Sequence, residues 1–495
     1  MLRSRVARVL VLVGAVVCLA FPVPAAQAHV GTGAVAADPD VAQLEAAAHA
    51  ARPGAPGVGD PYFPLLGNGG YDVKHYDLSF SYDPATDRLD GTMVIRARAT
   101  QDLSRFDLDL QQLEVSAVRV NHRPAAFSRD GQELRITPRH RLRKGSTFTT
   151  AVTYGGVPQT IVGSPIVFGS PYGFLHTDDG AFMGDEPNAA STWMPVSDHP
   201  SDKASWTFRV TVPEGKSAVA NGRLVSQVTR NGKSTFTWYE PDQMATYLAT
   251  ADIGDWVIKT GTTPGGIPET VAVDPTIIAS NPTAIDFFFD TTAEATDLWS
   301  KTFGPYPFIS TGAIADNATY NGQPLGFSLE TQTRPVYSAV RSTSTIAHEL
   351  AHMWFGDSVT VADWRHIWLN EGFASYAQYL WAEHLGGPSP HDQFVAEFNS
   401  IPAGNPFWNI VIADPQRDTM FARAVYRRGA MTLQALRDKI GDDAFFQVLK
   451  TWTARHRQGH GTTAQFIALS ERISGQDLGN FFQVWLYTPS KPTTW

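Results

Sequence analysis

The stretch HELAHMWFGD, residues 348–357, holds two histidines four residues apart with a glutamate beside the first. On an α-helix, positions i and i+4 share one face about one turn apart, so His348 and His352 can aim both imidazoles at a single point. Zinc takes such nitrogens at about 2.0–2.1 Å, wants a third protein ligand, and in a reactive site keeps one position open for water. Glu349 stands where its carboxylate can reach that water. Glu371 follows His352 by nineteen residues in LNEGF, at the start of the next predicted helix, and can swing back to complete a His, His, Glu set for one Zn2+ ion. Leu350, Ala351, Met353, Trp354 and Phe355 supply the apolar packing that would hold the first helix rigid.

These residues need helices to position them, and the surrounding sequence supplies the pattern. Residues 284–304, AIDFFFDTTAEATDLWSKTFG, have amphipathic spacing that stops at Gly304-Pro305. STSTIAHELAHMWFGD opens on a Ser/Thr cluster rich in possible N-caps. Residues 371–387 form a third predicted helix closed by two glycines and Pro388, and the rest, to Trp495, is mostly helical. Upstream the texture differs. Short alternating runs such as YDLSFSY, MVIRARA, FDLDLQQL and LRITP, later WTFRVTVPEG and STFTWYEP, are separated by Asp, Gly and Pro turns. Period-2 alternation of this kind predicts an antiparallel β-sandwich or saddle. The expected organisation is multidomain α and β, with a β-rich N-terminal domain over 61–258 and a mainly helical domain over 259–495.

The bulk numbers bound the function. The 495 residues suffice for two or three cores of ordinary size. The formal charge of −9 includes Arg3, Arg5 and Arg8; without those three, 36 basic residues face 48 acidic ones, a net −12. Nothing in that balance suggests a nucleic-acid partner. The three arginines precede the apolar run VLVLVGAVVCLAF, shorter than the roughly 20 residues of a membrane-spanning helix. Ala26-Gln27-Ala28 then gives the small-x-small pattern of a signal-peptidase site. Residues 1–28 are accordingly expected to be a signal peptide and the protein to be secreted from a bacterial cell, without membrane insertion once the leader is removed. The only cysteine, Cys18, lies inside the leader, so the mature chain must be held by its cores and its metal rather than by disulfides. Residues 29–60, rich in Ala, Gly, Pro and Val with no clear period, are expected to be a flexible spacer or pro-segment.

HELAHMWFGDSVTV followed by DWRHIWLNEGFASY resembles the aminopeptidase N family of zinc metallopeptidases, gluzincins that also include leukotriene hydrolase. The resemblance extends over roughly residues 60–495. It implies a thermolysin-like domain over 259–495 and the removal of N-terminal residues from peptides, with Glu349 as general base on a zinc-activated water. It also implies a downstream Tyr that steadies the oxyanion, here Tyr426 in AVYRRGAM. Two carboxylates would take the free α-ammonium group. Glu330 in GFSLETQTRP matches the Glu of the family's G-x-M-E-N motif, with Leu329 for Met, Thr331 for Asn and Phe327 at the position of the Gly. Counting back twelve residues from Asp198 of MPVSDHP reaches Glu186 in GDEPN, which would bring the β-domain into the active site. Family members commonly continue into a C-terminal helical cap domain; FFQVWLY resembles the close of the catalytic domain, so that cap is expected to be absent and the cleft open. Where the family frequently has Asp, this sequence has His366.

A monomer acting on peptide substrates is the leading expectation. A zinc endopeptidase with an open cleft, and a degenerate member that only binds peptides, are the alternatives. Blocked N-termini separate the first from the leading reading, and zinc uptake separates the second. His456 and His460, also four apart, lack a suitable acid and read as a solvated basic loop; DPATDRLDG reads as a hairpin turn rather than a calcium loop. Trp354, Trp364 and Trp368 read as packing residues.

Overall fold

In strand Tyr71–Asp83 the alternation is interrupted once. Tyr71 and Val73 are buried, the register shifts between Val73 and His75, and Tyr76, Leu78, Phe80 and Tyr82 are buried thereafter. This bulged strand lies near the middle of an eight-stranded sheet in the computed structural model, which describes residues 50–494. Its neighbours are Arg88–Ala99, joined through the DPATDRLDG turn with Asp83 opposite Arg88, and Ala204–Pro213, which runs parallel to it. A five-stranded sheet contains Tyr172–His176, Ala181–Gly184 and Ala251–Gly254, and packs its apolar residues into the same core. This is the β-rich N-terminal domain that alternation predicts.

From Val257 the architecture changes. Val257–Thr262, Pro268–Val273, Thr311–Ala315, Val336–Tyr337 and Ser328–Leu329 make a mixed five-stranded sheet. Helix α1, Ala284–Thr302, packs on it. Helix α2, Thr343–Ala351, is capped by Ser342, whose hydroxyl accepts from Thr345 N at 3.2 Å. Helix α3, Trp368–His384, starts three residues before its expected origin, because Ile367 already continues the 3-10 turn Trp364–His366 that Asp363 caps. Helix α4 is Arg423–Ile440. Trp354, Trp364 and Trp368 are all buried. His456 and His460 sit in or beside the short strand Gly459–Gly461, which pairs with Val359–Val361.

The leader at 1–28 and residues 29–49 of the expected spacer lie outside the described residues. The end of that spacer needs correction. Arg52–Pro53 pairs with Leu103–Asp109, and Gly69 N donates to Ala55 O at 2.9 Å. Asp60 is fully buried: its carboxylate accepts from Tyr62 N (2.7 Å), Phe63 N (3.0 Å) and Trp364 N (2.9 Å), and meets His199 Nε2 at 3.1 Å. Backbone hydrogen bonds and one carboxylate, not apolar periodicity, hold this segment, so composition alone misreads it. Burial opposes ionisation of Asp60, but His199 and the donated N–H groups outweigh it and hold its pKa below the usual value. Its contribution to stability is therefore complete at neutral pH and is lost only as pH falls below the ordinary aspartate range. Asp60→Ala strands three buried N–H groups and is expected to cost about 3 kcal/mol in urea unfolding at pH 7, the difference from wild type shrinking in strong acid.

Two buried cations join the β-rich lobe to the helical one. Arg334 donates to Ala220 O and to Gly222 O (3.0 Å), and lies over the Trp238 ring. Lys203 Nζ donates to Asp357 O (2.6 Å) and Ser358 O (3.0 Å), just past α2, and burial pulls its pKa down to about 7. Together with Asn221 Nδ2, which donates to Gln332 O at 2.7 Å, they fix residues 331–334 and the end of the α2 segment against the β-rich lobe.

Candidate active site

One turn apart, His348 on α2 and His352 at its C-cap bring their Nε2 atoms to 3.2 Å from each other. Glu371 Oε2, from the first turn of α3, lies 3.3 Å from the first and 3.5 Å from the second. Tetrahedral zinc with bonds of about 2.0–2.1 Å holds its ligand atoms about 3.3–3.4 Å apart, so the triangle has the size that one ion requires. The second contacts agree. His352 Nδ1 donates to Phe355 O at 2.9 Å, which leaves its Nε2 lone pair for the centre, and Glu371 Oε2 is buried with no hydrogen-bond partner among the described residues. Charge agrees as well. Burial alone would depress His352, but Glu330 and Glu371 raise its pKa well above the usual imidazole value, while His348, facing fewer acids, is lowered by burial. Burial disfavours the Glu371 carboxylate, yet the two imidazoles hold its pKa down to about 2. The pocket is built around a positive charge.

The Glu371 backbone is brought in by a glycine contact. Helices α3 and α4 cross where Gly372 meets Gly429, and a Cβ on Gly429 would come 2.6 Å from Gly372 Cα. That approach sets Glu371, one residue before the crossing, beside Tyr426, three residues before it. The Tyr426 ring stacks on His348, with centroids 6.2 Å apart and an interplanar angle of 16°. Burial first, then Glu371, pushes its pKa well above the ordinary phenol value, so it remains a hydroxyl donor. Gly429→Ala is expected to force the helices apart, costing about 2–3 kcal/mol and lowering kcat about 10²-fold through the displaced Tyr426, as read by thermal unfolding and steady-state kinetics.

Glu349 is buried, and its carboxylate with His348 and His352 offers atoms all within 4.8 Å of one another. Burial, Glu330 and Glu371 push its pKa well above the usual carboxylate value against the opposing pull of His352. Glu330 follows the edge strand Ser328–Leu329 of the helical domain's sheet, and its Oε1 lies 3.8 Å from His352 Nδ1. Glu186 follows Ala181–Gly184 of the β-rich lobe. Both carboxyl groups are raised by burial, and Glu186 also by Glu330 and Glu371. Each has an oxygen buried without a hydrogen-bond partner among the described residues. The seven residues singled out by sequence thus converge on one cleft.

His366 does not join them: its Nδ1 meets Thr463 Oγ1 at 3.0 Å and its Nε2 lies 3.8 Å from Asp363 Oδ2. Two neighbours escaped the sequence reading. Both carboxylate oxygens of Asp357 and both amide atoms of Asn370 are buried without hydrogen-bond partners among the described residues, behind His352. Their position within HELAHMWFGD and LNEGF was the available signal.

A paired-histidine helix closed by a carboxylate from the next helix, with a β-rich lobe walling the cleft, defines a zinc metallopeptidase of the gluzincin type. The Peptidase M1 N-terminal domain matches residues 72–248 and the Peptidase family M1 domain residues 306–485. An M1 zinc metallopeptidase from Deinococcus radiodurans, solved as a mutant bound to the substrate Tyr-Ser-Ala, superposes with a TM-score of 0.79 at 30% identity over 88% of this chain and 99% of that one. The aminopeptidase N of Lactococcus lactis is 29% identical over 326 residues, 60% of this chain and 38% of its own. The glutamyl aminopeptidase of Rattus norvegicus is 26% identical over 445 residues, 83% and 46% respectively. The chain thus spans less than half the length of these curated relatives. It belongs to peptidase family M1, and its cofactor is zinc.

Proposed function

We propose that the protein is a secreted aminopeptidase that releases N-terminal residues from peptides. The observation that carries this reading is a pair of carboxylates contributed by different lobes, the buried Glu330 and the partly buried Glu186, each left with one buried, unpaired oxygen beside the histidine cluster. Glu371, His348 and His352 account for the positive charge at the centre; two further acids in a low-dielectric cleft call for another cation. An α-ammonium group is a cation that arrives next to a scissile carbonyl.

In this mechanism His348, His352 and Glu371 hold the zinc, which when bound supplies Lewis acidity toward the carbonyl and the attacking water. Glu186 and Glu330 accept hydrogen bonds from the substrate's ammonium group and so fix where its first peptide bond lies. Glu349 takes a proton from the attacking water onto its carboxylate and passes it to the leaving nitrogen. Its raised affinity for protons suits that alternation. Tyr426 donates its hydroxyl hydrogen to the carbonyl oxygen as charge builds there.

Export is supported by the arginine-led apolar run and Ala26-Gln27-Ala28. Among the described residues no helix is long and apolar enough to cross a membrane. The relative solved with Tyr-Ser-Ala supports peptides as the substrate class.

The test is a panel of fluorogenic amino-acid amides, free and N-acetylated, run with zinc, with chelator, and with zinc restored. Free amides are expected to be cleaved, acetylated ones to be refused, and chelation to stop turnover reversibly. Glu330→Ala is expected to raise KM for free amines about tenfold or more, in line with one lost charge-assisted contact. Cleavage of blocked peptides at internal bonds would replace this reading with the endopeptidase one.

A further inference from the structure

Beside the histidine cluster lies a cavity of about 230 Å³ whose wall includes Gly184, Phe327, Leu329 and Phe421, with Glu186 and Tyr426 at its edge. One lining residue, Gly184, has no side chain. Gly173 and Gly184 face each other across the strand pair Tyr172–His176 and Ala181–Gly184, and the Phe327 ring occupies the space that a side chain at 184 would take. A Cβ there would come 2.7 Å from both Cε2 and Cζ of that ring. Phe182 flanks the same ring, with centroids 5.8 Å apart.

The ring is tethered through its backbone. Phe327 O accepts from Ser338 Oγ (2.8 Å), Ser338 N (3.2 Å) and an Arg341 guanidinium nitrogen (3.0 Å), and the following Ser328–Leu329 strand pairs with Val336–Tyr337. Ser338 and Arg341, in the same helical domain as Phe327, thus hold the backbone of a phenylalanine whose ring lies against a glycine of the β-rich lobe. A ring carried on so firmly held a backbone, and packed against Gly184 and Phe182, is suited to measuring what enters.

What enters follows from the aminopeptidase reading, on which this inference rests. With Glu186 on the ammonium group and Tyr426 on the carbonyl oxygen, the first residue's Cα lies between them, and its side chain is the group that meets the cavity. We propose that Phe327, seated on Gly184, is the specificity-determining residue of this pocket: it sets the pocket's depth and makes it select bulky apolar first residues. Among the described residues the lining contains no Lys or Arg to pair with an acidic side chain, and its largely apolar walls give little to a small one.

The experiment compares kcat/KM for Ala, Leu, Trp and Glu amides in wild type, Phe327→Ala, Gly184→Ala and the double variant, with zinc content and melting temperature measured alongside. Wild type is expected to favour Leu over Ala about tenfold or more and to reject Glu. Phe327→Ala deepens the pocket and is expected to raise the Trp/Leu ratio about tenfold or more. Gly184 has no left-handed backbone, so alanine there adds only the Cβ, which must displace the ring tip by about an ångström to reach ordinary contact. It is expected to change the ratio in wild type and to leave it unchanged once Phe327 is alanine. Unchanged ratios in Phe327→Ala, an equal fall across the whole panel, or the same Gly184→Ala effect in both backgrounds would overturn the proposal while leaving the aminopeptidase reading intact. A wild type that cleaves none of the amides would sink that reading and this proposal with it.

Discussion

Glu349→Gln is expected to lower kcat about 10³–10⁴-fold while the protein still takes up one zinc per chain. The amide keeps the shape of the carboxylate and can still accept a hydrogen bond, but it cannot take a proton from water and release it again. The triangle of His348, His352 and Glu371 is untouched by the change. The result discriminates because the geometry also allows another set: Glu349 groups with both histidines within 4.8 Å, and Glu330 groups with His352 and Glu371. Were Glu349 a ligand, the variant would lose metal, and activity would fall for the wrong reason. Zinc analysis of the purified variant therefore matters as much as its rate. Stability gives a second readout. Burial and neighbouring acids raise Glu349's pKa in the folded chain, so its ionised form destabilises the metal-free fold above the ordinary glutamate pKa. Without metal at pH 7, Glu349→Gln is expected to melt at or above the wild-type temperature. A clear drop there would assign Glu349 a structural role instead.

The metal triad was legible because its chemistry is local: i and i+4 on a helix, and a carboxylate opening the next one. Tyr426 was less so. YRRG is unremarkable as text, and its meaning comes from Gly429 crossing Gly372, a contact between segments far apart in sequence. Glu186 lies in the other lobe, where no periodicity could connect it to a histidine helix, and only the spacing shared with a known family reached it. Arg334 and Lys203 stayed hidden because their partners are backbone carbonyls, which have no sequence signature. The β-rich and helical lobes were readable because period 2 and period 3.6 differ over long runs. Residues 52–60 were not, since Asp60 binds N–H groups that any sequence would offer. Interior contacts that use the backbone, or the absence of a side chain, are those that a one-dimensional pattern does not carry.

Tyr426→Phe is expected to lower kcat about 10²–10³-fold with KM changed no more than a few-fold. The ring stays: it stacks on His348, and phenylalanine preserves that face and the packing of α4 against α3. Only the hydroxyl goes. In the ground state the carbonyl is nearly neutral and gains little from one more donor, whereas the oxygen gains charge as water adds, and a donor in a buried cleft is then worth several kilocalories. Substrate affinity should depend instead on Glu186 and Glu330, which meet a full ammonium charge from the outset. The two kinds of variant should accordingly separate, Tyr426→Phe acting on kcat and Glu330→Ala first on KM. Burial and Glu371 keep the Tyr426 proton in place well above the ordinary phenol range, so the wild-type rate should show no loss from tyrosine ionisation up to pH 10. A Tyr426→Phe enzyme with unaltered kcat and raised KM would move the hydroxyl from the reacting oxygen to the binding of the substrate, and the stacked ring would then be all that α4 contributes to the chemistry.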